Sequence, residues 1–208
     1  MAHQNNDTEL NDTFFTIAKP VEGLFKERNS KFFYFAFPVK NEDEIKEHLA
    51  KLRKTYFDAR HHCFAWILGK NGEFHRAFDD GEPNHSAGDP ILGQIRSKEL
   101  TQVLIVVVRY FGGTKLGMGG LIQAYKTAAS LALEEAEIIQ KQIKMEVSIQ
   151  FPYASMNEVM KLVKNWEMEI VSQKMEMDCN MQLEFREGIK DLVLSGLEDV
   201  KDLILIKT

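Results

Sequence analysis

Cysteine is scarce: Cys63 and Cys179 are the two in 208 residues. They lie far apart in sequence, so neither a disulfide framework nor a four-cysteine zinc site can be built, and both read as buried thiols. No run approaches the roughly 20 apolar residues that a membrane span needs. The opening Met1-Ala2-His3-Gln4-Asn5-Asn6 lacks the basic-then-apolar order of a secretory leader. A cytoplasmic protein without membrane association is expected. A polybasic surface is missing too. The net charge is -5, with 17 basic against 19 acidic residues up to Gln140 and 9 against 12 from Lys141 onward. Because phosphate neutralisation by Lys and Arg supplies most non-specific affinity, this balance argues against a bulk DNA binder and confines any nucleic-acid contact to a local cluster.

Apolar residues make up 44% and charged residues 27%, enough apolar surface to pack a core and too little charge for wholesale disorder. The length favours two modest cores over one large one. We read an α+β chain with a first domain over 14–139 and a second over 140–208, preceded by a polar, loose tail ending near Asp12. The oligomeric state is not legible.

In the first domain two runs flank Asn29-Ser30, and Phe33, Phe35 and Phe37 alternate with Tyr34 and Ala36, as a hairpin with a buried face requires. Asn41 and Glu44 have capping-box spacing, followed by Ile45, Leu49, Leu52 and Tyr56 along one helix face. Strands over 62–68 and 73–78 meet at Asn71-Gly72. A polar loop, Asp79 to Asp89, then precedes a short helix starting at Pro90 with Asp89 as its cap. Val103 to Val108 is continuously apolar, a strand buried on both faces.

That strand ends in the one site-like segment, Arg109-Tyr110-Phe111-Gly112-Gly113-Thr114-Lys115-Leu116-Gly117-Met118-Gly119-Gly120, followed by a helix from about 121 to 137. Glycines accept positive φ and let backbone N–H groups converge, and a helix start adds partial positive charge, so such a turn can cradle an anion. Arg109 and Lys115 add charge, and Tyr110, Phe111 or Tyr125 can stack on a base or cover an apolar ligand. The plainer reading, that the glycines merely allow tight packing, carries nearly equal weight. Nucleotide motifs do not apply: Met118 stands where a P-loop needs Lys, and Ile122 where a dinucleotide fingerprint needs Gly or Ala. We expect the acidic loop, with Asp79, Asp80, Gly81 and Glu82, to face the glycine turn across one pocket. Those acids, with Asp89, can hold Mg²⁺ beside a phosphate, but acidic loop residues more often cap neighbouring N–H groups. His61 and His62 point to opposite faces of a strand and cannot chelate one metal from it. His85-Ser86 has no nucleophile elbow around it. A catalytic role is disfavoured, with no catalytic residue, metal or cofactor assigned.

These residues resemble a known family. Asp79-Asp80-Gly81-Glu82-Pro83, Ala87-Gly88, Pro90, Arg109-Tyr110-Phe111-Gly112-Gly113, Lys115-Leu116-Gly117 and Gly119-Gly120-Leu121 look like the signature of the IMPACT family, including its bacterial YigZ-type two-domain members. The likeness runs over about 16–135. It implies a first domain similar to the second domain of ribosomal protein S-five, and a ferredoxin-like second domain similar to the last domain of elongation factor G. It also implies a role around translation, since the eukaryotic members restrain signalling to a translation-initiation kinase by occupying its activator. Two departures stand out: Asn84-His85-Ser86 replaces a small run, and Gln123 replaces an Arg, a loss of charge expected to weaken phosphate binding.

In the second domain, Ile143, Met145, Val147, Ile149 and Phe151 alternate as a strand, and Met156, Val159, Met160 and Val163 mark a helix face. Strands over 169–175 and 177–185, a helix over 188–197 and a strand over 203–206 complete a βαββαβ order. The methionines read as core gap-fillers. Three functions follow: a translation-associated regulator binding RNA or a ribonucleoprotein through the glycine turn, a regulator binding a translation-related protein there, or an enzyme acting on a phosphorylated small molecule.

Overall fold

A computed structural model describes residues 12–206, which divide into two compact units. The expected loose tail over residues 1–11 lies outside the described residues. The chain is mixed α and β, with three sheets among the described residues.

The first unit spans Phe14–Lys141. Its elements run β1 (Thr13–Ile17), β2 (Val21–Glu27), β3 (Ser30–Pro38), α1 (Glu42–Thr55), β4 (His61–Leu68), β5 (Phe74–Phe78), α2 (Gly88–Ser97), β6 (Val103–Tyr110), α3 (Gly117–Glu134) and β7 (Ile138–Gln142). Strands β1 and β7 form a two-stranded ribbon, and the other five form a sheet of order β2-β3-β6-β4-β5, antiparallel throughout. The β2–β3 turn places Arg28 (φ 45°) and Asn29 (φ 66°) both in the left-handed region, the condition that lets a two-residue turn match strand twist.

Period-two alternation decides which residues meet which helix. Phe32, Tyr34, Cys63, Ala65, Ile105 and Val107 pack with Ile91, Leu92 and Ile95 of α2 and with Leu121, Tyr125 and four alanines of α3. On the opposite face Phe35, Phe64, Trp66, Leu104, Val106 and Val108 pack with Ile45 and Leu52 of α1. Strand β6 is central and covered on both sides, hence its unbroken apolar run. Helix α1 begins where the Asn41 side chain accepts from Asp43 N (3.1 Å) and Glu44 N (3.0 Å). Glu44 reaches back one residue further than a capping box requires, accepting from Lys40 N at 2.8 Å.

The second unit contains β8 (Lys144–Phe151), α4 (Met156–Asn165), β9 (Glu169–Met175), β10 (Cys179–Arg186), α5 (Lys190–Glu198) and β11 (Ile204–Ile206). The sheet order is β11-β8-β10-β9, with β8 paired to β10 residue for residue from Cys179↔Phe151 to Arg186↔Lys144. Alternate residues Val147, Ile149, Phe151, Met181, Leu183 and Phe185 pack with Val159, Val163, Val193 and Leu197 from the two helices. Met181 and Met168 are buried as expected, but Met160, Met175 and Met177 are exposed, and β9 is exposed along its whole length. Asp12 is not loose: it is 1% exposed, accepts from Arg186 Nε (3.0 Å) and Nη2 (2.7 Å), and accepts from Gly188 N (3.1 Å). The Arg186 bonds, outweighing burial, hold its carboxyl below the usual range.

Removing the α1 cap tests the first of these local arguments. Asn41→Ala should cost about 1 kcal/mol, read as a lowered urea midpoint with an unchanged slope; no loss would show that Glu44 caps the helix unaided.

Candidate ligand cleft at the end of strand β6

Register brings the cleft together. In the central sheet Arg109 lies opposite Phe32 of β3 and His61 of β4, so all three side chains project from the same face. Two residues earlier on that face, Val107 is fully buried; Arg109 is thus the point where a dry strand turns polar. Around it opens a cleft of about 460 Å³. Arg60, His61, Arg109 and Lys115 supply the basic lining, and Tyr110, Phe111 and Asp58 the remainder.

The cations are held differently. Lys115 and Arg60 are exposed. Arg109 is 5% exposed; its Nη1 donates to Glu82 Oε1 at 2.7 Å, and its Nη2 reaches Ser30 Oγ at 3.5 Å. Its guanidinium carbon lies 5.5 Å from the Phe32 ring centroid and 5.7 Å from that of Phe111, the range of cation–π attraction. His61 Nδ1 is 3.0 Å from the Asp80 carbonyl. A carbonyl only accepts, so Nδ1 carries the proton and a neutral His61 keeps Nε2 as an acceptor. Tyr110 donates to Asp58 Oδ1 at 2.5 Å, and that bond, with burial, pushes the phenol up to about 12.

The acidic loop lies behind this cleft and faces inward. Asp79 accepts from the backbone N–H groups of His85 (2.9 Å), Ala87 (2.9 Å) and Gly88 (2.8 Å), and so caps α2 from nine residues upstream. Helix α2 therefore starts at Gly88, two residues before the expected Pro90, and Asp89 instead meets His85 Nδ1 at 2.6 Å. Burial alone would raise the Asp79 carboxyl, but the three donors outweigh it and hold it below the usual range. Asp80 accepts from Arg53 Nη2 (2.9 Å) and His62 N (2.7 Å). Gly81, in the left-handed region at φ 86°, packs beside His61. Glu82 accepts from Arg109 and from Tyr125 Oη, each at 2.7 Å. The loop and the glycine turn thus meet through a buried ion pair. None of Asp79, Asp80, Gly81 and Glu82 lines the cleft.

Tyr125 has no exposed surface; it packs edge-on against Phe32, so its ring offers nothing for a base to stack on. Nucleophiles fare no better: the Ser86 hydroxyl is buried and donates to the Pro83 carbonyl at 2.6 Å, and burial pushes the Cys63 thiol well above its ordinary range. Among the described residues no three His, Cys, Asp or Glu side chains gather as metal ligands. Gln123 lines a separate recess with Phe25, Arg28 and Leu116, so its missing charge is not missing from this cleft.

The glycines divide by role. A Cβ on Gly112 would lie 2.0 Å from Asn29 C and 2.2 Å from Ser30 N, and Gly112 N donates to Ser30 Oγ at 3.2 Å; Gly112 docks the loop on the β2–β3 turn. Gly113 has φ 86°. Gly117, Gly119 and Gly120 belong to the first turn of α3, which starts four residues before the expected position and has no side-chain cap among the described residues. Nothing lies within 4 Å of a Cβ built on Gly119. No local motif marks Arg60 or Asp58, and the sequence singles out His61 only as a candidate metal ligand; its place in the cleft comes from the pairing of β4 with β6 opposite Arg109.

Two measurements follow. Gly112→Ala should destabilise by about 1–3 kcal/mol through overpacking, whereas Gly119→Ala should be neutral or stabilising by about 0.5–1 kcal/mol; equal losses in denaturant titrations would refute the division. Asp79, with its depressed carboxyl, contributes stability that is fully present above its ordinary pKa of 3.8 and lost as pH falls through the lower folded value. Asp79→Ala should therefore flatten the pH dependence of stability in that window while lowering stability at neutral pH.

Known proteins are similar to this chain in sequence and fold. The family model for the Impact N-terminal domain matches residues 28–133. The IMPACT family member YvyE of Bacillus subtilis is 35% identical over 63% of this chain, which spans 60% of that protein. The IMPACT family member YigZ of Escherichia coli is 31% identical over 74% of this chain and 77% of its own length. A crystal structure of a hypothetical protein, 26% identical, superposes with a TM-score of 0.72 over 95% of this chain and 98% of the other. With the family model matched from the β2–β3 turn to the end of α3, and a relative aligned along most of both chains, this chain belongs to the IMPACT family.

Proposed function

We propose that this chain is a translation-associated regulatory protein that binds RNA or a ribonucleoprotein surface through the cleft at the end of β6. The observation that carries the reading is the convergence of Arg60, His61, Arg109 and Lys115 beside Phe111, which is 56% exposed. Cations that track a backbone beside a ring that accepts any base are the two parts of single-strand binding. The site is local, as an acidic chain requires. Family membership supports the translational setting. The βαββαβ order and the β11-β8-β10-β9 sheet support a ferredoxin-like second domain over 140–208, and we extend the same kinship to a first domain over 14–139 similar to the second domain of ribosomal protein S-five. No helix among the described residues is long and apolar enough to cross a membrane, and we place the protein in the cytoplasm.

One observation favours a protein partner instead. Phe111, Met118 (52% exposed) and Ile122 (38% exposed) put apolar surface at the same end of the first unit, and exposed apolar clusters mark protein contacts. Salt separates the two. With about three cations engaged, the slope of log affinity against log salt for a short single-stranded RNA should be about -2. It should shrink to about -0.7, the value for the one cation left, in Arg60→Ala/Lys115→Ala, both exposed positions. A flat dependence in the unsubstituted protein would reject RNA and favour the apolar contact.

A further inference from the structure

Arg109 has an edge that the protein does not use. A guanidinium presents five N–H donors in one plane. Nη1 is taken by Glu82, and Nη2 has the single long contact to Ser30. Phe32 and Phe111 lie within cation–π range of its guanidinium carbon, and neither ring offers a lone pair to an N–H. Nε is buried and has no partner among the described residues. Nε–H and one Nη2–H point the same way, the side-on pair of donors that matches two oxygens of a carboxylate or phosphate, and of this pair Nε–H is unmet and Nη2 has only the long contact to Ser30. Leaving a charged donor unsatisfied in a residue 5% exposed is costly. Arg109 nonetheless lines the cleft, with exposed Lys115 and Arg60 at its margins.

We propose that this edge of Arg109 receives a phosphate monoester, the terminal phosphate of a single-stranded RNA, which enters beside Phe111. The inference rests on the reading of the cleft as an RNA site and names what part of the RNA it takes. Charge favours an anion: Glu82 offsets Arg109 and Asp58 offsets one of Lys115 and Arg60, which leaves one net positive charge in the cleft. Burial favours an end. An internal phosphodiester carries a nucleotide on each side and tracks the exposed margins, whereas a terminal phosphate can descend to a group as deep as Arg109. The first base then lies at the level of Phe111, whose ring is exposed where the cleft opens.

The test compares hexaadenylate bearing a 5′-phosphate, a 3′-phosphate or hydroxyls at both ends, together with adenosine monophosphate, using fluorescence anisotropy and the ¹H–¹⁵N signal of the Arg109 Nε–H. One phosphorylated form should bind about tenfold or more tighter than the hydroxyl-ended RNA, the worth of one charge-assisted contact, and should shift the Nε–H resonance. Arg109→Lys, which keeps a cation for Glu82 but lacks the side-on pair of donors, should bring the ratio of phosphorylated to hydroxyl-ended affinity close to one. Should that variant fail to fold, the Nε–H shift in the unsubstituted protein decides alone. Equal affinity for phosphorylated and hydroxyl-ended RNA overturns the inference and leaves RNA binding standing. A shift caused by adenosine monophosphate, with no added affinity for longer phosphorylated RNA, keeps the phosphate site and rejects the RNA. Absence of binding by every probe overturns both.

Discussion

Glu82 sits at 8% exposure under the end of the central strand and accepts from both Arg109 and Tyr125. Through those two bonds one carboxylate joins the acidic loop to β6 and α3. Asp79, three residues earlier, fixes the same loop from its other side by capping α2. Buried ion pairs are weak evidence of net stability, because desolvation consumes most of the attraction; truncating one partner nevertheless costs about 3–5 kcal/mol, since the other is left charged in the interior. The pair is therefore better understood as a device for orientation. It holds an arginine at a fixed depth, within cation–π range of two rings and with its Nε–H unspent.

That device explains why a sequence motif rich in acids and glycines contains so little open surface. Asp79, Asp80 and Glu82 turn oxygens toward backbone donors and toward Arg53, Arg109 and Tyr125. Gly112 is spent on contact with the neighbouring turn. What faces solvent is supplied from elsewhere: Arg60 and His61 from the start of β4, and Lys115 and Phe111 from the loop itself.

Legibility in the sequence followed the range of the interaction. The β2–β3 hairpin, the Asn41 cap, the apolar run of β6 and the alternation of β8 are written in neighbours a few positions apart, and each stands where local periodicity puts it. The start of α3 is not legible because glycines read as a turn, while the helix takes in Gly117, Gly119 and Gly120 and packs on α2 and the sheet. Capping of α2 by Asp79 spans nine positions, and the bond from Arg186 to Asp12 spans 174; no window of sequence holds both ends. The Met160 position shows the reverse, a residue matching an apolar stripe yet 39% exposed, because periodicity marks a face without marking how deeply each residue on it is buried. The part of the cleft contributed by β4 is illegible for the same reason as the long-range bonds: His61 and Arg109 are adjacent only through strand pairing.

The contact of Gly112 with the backbone of Asn29 and Ser30 has a bearing on how this lineage can vary. Hairpin turns at a sheet margin are ordinarily where chains gain and lose residues at little cost. Here the turn is a seat for the loop that carries Phe111 and Lys115, and Ser30 at its end holds Gly112 N. An added residue would lift that seat and carry the aromatic ring away from the arginine beneath it. The shortest connection in the sheet is thus held at fixed length by a residue more than eighty positions downstream, and the two segments are free to change only as a pair.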